Sequence, residues 1–569
     1  MAQIEYTPFW SETSILLGSG AIASLGVPTT YQMGRVIHCL SERGDDITII
    51  DRLKETNRFY KIETELGSFL QILGDSLKES WESFTEDSVE LAKKILPDNL
   101  TEEKVSTRIS QWRAHYDWNA LRRLALKIPV ESNDYAMYLT DLYNTIDGNL
   151  SISQGVPVYD EFMNKKAFLQ PYKLRSARNL LILLCNLMIA CSYYKTREEY
   201  PDAFKPYIDF TKILYKKMIQ EAIDLDCLPY NRRLFYLMSY SFISFNFDPI
   251  FIWFRYKLNY DLNLNPAYIG KDNIPVRLYH DFASYLAIRD NEDRNLFNIY
   301  YPVNETIARH QNGQPDRNRL FRVSKFYFVH GCTNMRECDN CGKESIIWGD
   351  MKDFPNDLFL APPFKTTIFK SVPHSVEEKK EHDDGSYDAI QCSFCGNMTY
   401  ANNSTMIMQS SYKGGHSSFI EEIQRDAKVS IAGAKHILLL GYSFPPDDVV
   451  WRNSIIAKQQ NKDIYCSVVV GYLGEDKWIE GEELTYYIYH VKNNQKEKNW
   501  VHFGIKTIET AISIFKEDHV RAYTGGIPNV WCSDGKTVNE ERIKDLLYPQ
   551  IVFPDGITKT RSDIWERIK

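Results

Sequence analysis

Four of the eleven cysteines stand as two pairs, Cys338-Asp-Asn-Cys341 and Cys392-Ser-Phe-Cys395, with fifty residues between the pairs. Thiolates on paired knuckles suit tetrahedral Zn2+, with bonds of about 2.3 Å. Four sulfurs fill the coordination sphere, so the expected site is structural. Neither pair opens a helix after a strand, as a redox Cys-x-x-Cys does. The remaining seven, Cys39, Cys185, Cys191, Cys227, Cys332, Cys466 and Cys532, are scattered, several in apolar runs. They read as buried free thiols. A reducing compartment fits both groups.

A second set of chemically capable residues sits where apolar runs end. The run 14–17 leads into Gly18-Ser-Gly-Ala-Ile-Ala-Ser-Leu-Gly26-Val-Pro28. The run 239–245 leads into Asn246-Phe-Asp248, and the run 325–329 into His330-Gly331. The run 436–440 leads into Gly441-Tyr-Ser-Phe-Pro-Pro-Asp-Asp448, and the run 465–470 into Gly471. Each run fits a buried parallel strand. Ligands of open α/β sheets bind beyond the carboxyl ends of such strands. A strand, a glycine turn and the helix expected over 31–42 make a phosphate cradle, with N–H groups and a helix dipole at its mouth. The glycine spacing only approximates the GxGxxG fingerprint, so by itself it fits a dinucleotide site and a plain tight turn equally. Asp447 and Asp448 are expected to cap the helix that begins near Val449.

Between the first run and the second lies a region, 51–230, that reads as helical. Apolar residues recur at helical spacing over 62–73, 121–126, 135–146, 174–189 and 210–223. No polar cluster in it has catalytic spacing. Its many Trp and Tyr residues fit a packed helical domain, with an assembly or sensing surface as the sharper reading.

The 569 residues suggest two to three domains, or one core with large additions, at about 150 residues per domain. A hydrophobic fraction of 44% and a charged fraction of 25% exclude collagen, coiled coil and wholesale disorder. A net charge of -8 argues against a protein that coats nucleic acid by itself. The N-terminus has no basic segment followed by an apolar one, so no signal peptide is expected. The run 180–191 is too short to span a membrane. The run 234–254 carries Asn246, Asp248 and Pro249, which suggests a strand entering a site. A soluble, cytoplasmic protein is expected.

The order of these motifs resembles the sirtuin catalytic domain. The segments that carry the resemblance are GSGAIASLGVP, SFNFD, FVHG, CDNC with CSFC, and LLLGYSFPPDD, collinear from Gly18 to Gly471. Two positions depart from deacetylating sirtuins. Thr29-Thr30-Tyr31-Gln32 stands where an acid, an aromatic and an arginine follow the glycine turn, and Phe245 stands where a glutamine precedes the asparagine. With a large helical insertion, the chain resembles instead the sirtuin-like NAD+ hydrolases of bacterial antiphage defence, the defence-associated sirtuins among them.

The resemblance implies an α/β fold: a sirtuin-like Rossmann-type parallel sheet with a small zinc ribbon and a large α-helical insertion. The implied parts are 1–51 (Rossmann, with the glycine loop), 52–230 (helical insertion), 231–336 (Rossmann), 337–400 (zinc ribbon region), 401–515 (Rossmann) and 516–569 (C-terminal extension). It implies cleavage of NAD+, as substrate, to nicotinamide and ADP-ribose in a regulated, NAD-depleting abortive-infection response. Asn246 and His330 would be catalytic. Asp248 would orient ribose or brace the loop. Gly18, Ser19, Gly20 and Ala21 would cradle pyrophosphate through backbone N–H groups, with Gly441 and Ser443 closing the other side. Cys338, Cys341, Cys392 and Cys395 would hold Zn2+. An NAD-dependent protein deacylase and a non-catalytic NAD+ or ADP-ribose sensor are the alternatives. A regulatory partner (an ATPase, nucleotidase or Argonaute-like subunit) or a homo-oligomer interface is expected, with no membrane and no direct nucleic-acid contact.

Overall fold

Thr13–Leu17 (β1) is apolar at its heart, and Ile15 and Leu16 are wholly buried. A strand covered on both faces is mostly apolar, its few polar side chains pairing across the sheet as Ser14 does with Ser241, and such strands pair in parallel. The same holds for Met238–Ser244 (β2), Leu320–Phe328 (β4), His436–Leu440 (β5) and Tyr465–Val469 (β6). With Val276–Asp281 (β3), Trp478–Glu480 (β7) and Val520–Tyr523 (β8) they form one eight-stranded sheet, ordered β7-β8-β6-β5-β1-β2-β4-β3. Seven strands run parallel, and only the β7 edge is antiparallel to its neighbour. This computed structural model describes residues 13–42, 47–74, 86–131, 136–137, 139–160, 165–226, 238–264, 276–281, 287–289, 320–347, 357–370, 372–407, 410, 418–445, 448–456, 464–471, 476–494, 499–547, 551–552 and 558–559.

The chain steps outward from β1 in one direction through β2 and β4, then returns to the other side of β1 for β5 and β6. Strand order therefore reverses at β1. A crevice opens at such a reversal, at the carboxyl ends of the strands. Register aligns those ends: Leu17 faces Leu440 on one side and Ser244 on the other, Ser244 faces Phe328, and Leu440 faces Val469. The five runs singled out in the sequence are five contiguous strands that end at one edge. The sheet also gains β8 beyond the helix Asn499–Phe515, so it continues past residue 515.

Between β1 and β2 lie nine α-helices among the described residues, from Thr30–Ser41 (α1) to Lys205–Asp226 (α9). Two hairpins interrupt them: Val130–Glu131 with Ala136–Met137, and Val156–Asp160 with Lys165–Leu169. The helical expectation passed over the second hairpin. Its signal is a period of two, with Val156 and Val158 buried and Tyr159 exposed. Tyr135, Tyr230 and Cys227 lie outside the described residues.

Most of the region's aromatics pack inward. Trp112, Tyr143, Tyr193, Tyr207 and Tyr215 are at most 3% exposed, so core packing rather than an assembly surface accounts for them. The run 180–191 is part of a 29-residue helix, Pro171–Glu199 (α8), which by length and composition could cross a membrane. Its most apolar window is 78% buried inside the protein, as in a core helix.

Candidate functional site

Beyond the aligned strand ends the chain makes short turns that bind one another. The Gly18 N–H donates to Leu440 O at 3.0 Å, and the Phe245 N–H to Leu17 O at 2.9 Å. The two glycine turns interlock. A Cβ on Gly18 would lie 2.3 Å from Gly441 O, and one on Gly441 (φ +61°) 2.3 Å from Ala21 N. No side chain fits there, which is why both positions are glycine. The Gly20 N–H donates to Gly441 O at 3.1 Å and the Ala21 N–H to Gly18 O at 2.9 Å. Three of the four N–H groups expected to cradle a phosphate thus bond within the protein. The turn is a 3-10 helix, Ser19–Leu25, with Ser19 first. Ser443 is exposed, on the loop after β5.

Asn246 and His330 each stand two residues past the registered ends of neighbouring strands, β2 and β4. The Asn246 amide is buried and Nδ2 donates to Gly18 O at 2.9 Å, tying the β2 turn to the β1 turn. His330 is wholly buried, with Nε2 3.2 Å from Asp448 Oδ1. The Tyr442 hydroxyl donates to Asp448 Oδ2 at 3.0 Å. Phe245 lies edge-on to His330 at 5.4 Å and stacks on Tyr442 at 4.1 Å. The loops after β1, β2, β4 and β5 are therefore one connected cluster. Gly471, after β6, is exposed, and residues 472–475 lie outside the described residues.

Asp448 corrects an expectation. Its backbone carbonyl does begin the helix Val449–Ile456, accepting from the Arg452 N–H at 2.9 Å. Its side chain points instead into the site, buried between His330 and Tyr442. A carboxylate at this distance favours the proton on Nε2 and leaves Nδ1 as the basic nitrogen. No spacing in the chain pairs position 330 with 448. Asp447 lies outside the described residues.

Asp248 braces the loop and stands next to Asn246, whose side chain hydrogen-bonds it. Its Oδ1 accepts from the Ile250 N–H at 3.0 Å, at the start of the helix Ile250–Leu264. Burial is the main cause that raises its carboxyl to about 7, against an ordinary value near 4. A carboxyl raised on folding contributes stability that falls as pH rises from about 4 to about 7 and levels off above. Asp248→Asn is therefore expected to gain stability over the wild type as pH rises through that window. Urea midpoints at pH 5 and pH 8 check this, and an equal difference at both values counts against it.

The helical region holds the glycine turn from behind. The Tyr207 hydroxyl donates to Ala21 O at 3.0 Å and also bonds Ser24 Oγ, and Thr196 Oγ1 donates to Leu25 O at 2.6 Å. The C-terminal segment joins this support, since Trp531 stacks on Phe210 at 4.5 Å.

The four paired cysteines meet. Their sulfurs all lie within 4.8 Å of one another. Cys338 Sγ is 3.5 Å from Cys395 Sγ, and Cys341 Sγ 3.7 Å from Cys392 Sγ. A tetrahedron with bonds of about 2.3 Å has edges of about 3.8 Å, so the set fits zinc. Each knuckle sits in a small antiparallel hairpin. The two turns share one hydrogen-bond pattern. Cys338 N donates to Lys343 O and Gly342 N to Cys338 O, while Cys392 N donates to Asn397 O and Gly396 N to Cys392 O. Gly342 and Gly396 both have positive φ. The motif is thus Cys-x-x-Cys-Gly, and the glycine is a signal that the cysteine count alone missed. The Asn340 amide, first among several bonds, holds the Cys395 thiol down to about 6, and burial pushes Cys392 up to about 12.

Purified protein is expected to carry one zinc per chain by elemental analysis. Cys338→Ser is expected to lose the metal and lower Tm by several degrees, because a structural metal contributes folding free energy. Full stability without metal would contradict this.

No protein-family model matches this chain, and no curated protein is significantly similar to it.

Proposed function

We propose that this chain is an NAD+ glycohydrolase on a sirtuin-like Rossmann core, acting as the regulated NAD-depleting effector of an antiphage defence system. The observation that carries the reading is the placement of Asn246 and His330 two residues past neighbouring strand ends beside the sheet's reversal point, with Asp448 on His330.

The reaction breaks the bond between nicotinamide and the ribose C1′ through an oxocarbenium-like state. The electron pair leaves with neutral nicotinamide, water adds to C1′, and one proton is released. The Asn246 amide, fixed on Gly18 O, positions the ribose and the water. His330 takes a ribose hydroxyl proton through Nδ1, since Asp448 holds the other nitrogen protonated; the attacking water returns a proton to that ribose oxygen, and the imidazolium then releases the one proton of the balance. Ser19, at the head of the 3-10 helix and with the one N–H of the four not used within the turns, and Ser443, exposed on the loop after β5, flank the phosphates in this reading.

His330 is wholly buried beneath Phe245 and Phe247. That closure suits an enzyme held off until these loops part, through a partner subunit or a homo-oligomer contact. A deacylase is less well supported, because Phe245 packs on Tyr442 where a substrate-facing glutamine would stand. A passive sensor has no need of the Asn246–His330–Asp448 set.

The test is incubation with NAD+, with and without an acylated peptide, followed by chromatography of nicotinamide and ADP-ribose. Peptide-independent release supports the hydrolase. Release only with peptide supports the deacylase, and NAD+ binding without release, in both monomeric and assembled protein, supports the sensor.

A further inference from the structure

A basic cleft lies within the helical region. The helix Trp118–Lys127 and the hairpin Val156–Asp160 with Lys165–Leu169 border a half-open cleft of about 390 Å3, none of whose lining residues belongs to the strand-end loops. That volume suits a small-molecule ligand. The helix contributes Asn119, Arg122, Arg123 and Lys127, which fall at the three- and four-residue spacing of one helix face. The hairpin contributes Tyr159 and Lys166, direct cross-strand partners whose side chains leave the same face.

Four of the lining side chains are therefore cationic, and none of the described lining residues is acidic. The chain as a whole carries a net charge of -8, so this convergence is not a general excess of base. Two of the cations are held in place: Arg122 Nε donates to Ser41 O at 2.6 Å, and Lys127 Nζ to Pro157 O at 3.1 Å. Tyr159 is 54% exposed, an aromatic ring at the wall of a basic cleft. Guanidinium and ammonium groups recognise phosphate oxygens, and an aromatic ring offers a stacking face to a planar base.

We propose that this cleft binds a phosphate-bearing ligand of nucleotide size, with Arg122, Arg123, Lys127 and Lys166 on the phosphates and Tyr159 against the base. The inference stands apart from the strand-end chemistry, and its test needs no assay of NAD+ cleavage. ADP and inorganic pyrophosphate are titrated separately into the full chain by calorimetry at low salt. Both are expected to bind saturably, ADP more tightly. Arg123→Glu and Lys166→Glu, on different elements, are each expected to weaken ADP binding at least tenfold with Tm unchanged. Tyr159→Ala is expected to weaken ADP and leave pyrophosphate as it was. ADP held at the strand-end loops survives the two charge reversals, so unaltered affinity in both variants overturns the proposal. So does the absence of saturable binding, or pyrophosphate binding as tightly as ADP.

Discussion

Asn246→Ala is expected to lower NAD+ cleavage by about 10²–10³-fold while Tm moves by only a few degrees. The amide spans two strand ends, with Nδ2 on Gly18 O at 2.9 Å. Removing it frees a contact to the β1 turn and the polar group proposed to hold water and ribose. The fold effect is limited because the β1 and β5 turns stay interlocked through Gly18, Gly20 and Gly441, which Asn246 does not supply. Nicotinamide release at saturating NAD+ measures the rate, and circular dichroism the fold. Turnover close to wild type in a well-folded variant would remove Asn246 from the chemistry and leave it as a loop tie.

Asp448→Asn is expected to lower kcat by about 10²-fold, with KM for NAD+ changed only a few-fold. The carboxylate sits 3.2 Å from His330 Nε2 and takes a hydrogen bond from Tyr442. An amide keeps the shape but not the charge, and it can present N–H to Nε2 and favour the wrong tautomer. Tyr442→Phe is the companion variant. It leaves the carboxylate in place, so a smaller loss in the same direction is expected. A wild-type kcat in well-folded Asp448→Asn would show that Asp448 only packs the loop.

The chemical vocabulary of the protein was legible residue by residue. Buried parallel strands are continuous apolar runs, and the five runs ending in Gly18, Asn246, His330, Gly441 and Gly471 are all strands at their expected places. The knuckles were legible because a Cys-x-x-Cys turn is closed by bonds within six residues, as at Cys338 and Cys392. The helices were legible from spacing, whereas the hairpin 156–169 was not, since its short period of two lies within a region dominated by helical spacing.

What the chain's own order determined, then, was each turn, each strand and each local cap, because their hydrogen bonds close over a few residues. The tertiary structure decided which of them meet. Sheet order places β1 and β2 between β5 and β4, so the loop after β5 must reach over two strands for Asp448 to lie against His330. The same order buried Asp248 against Asn246, used three N–H groups of the glycine turn, and set Tyr207 against that turn. Such contacts follow from burial spread over the whole sheet, and no short spacing in the sequence encodes them.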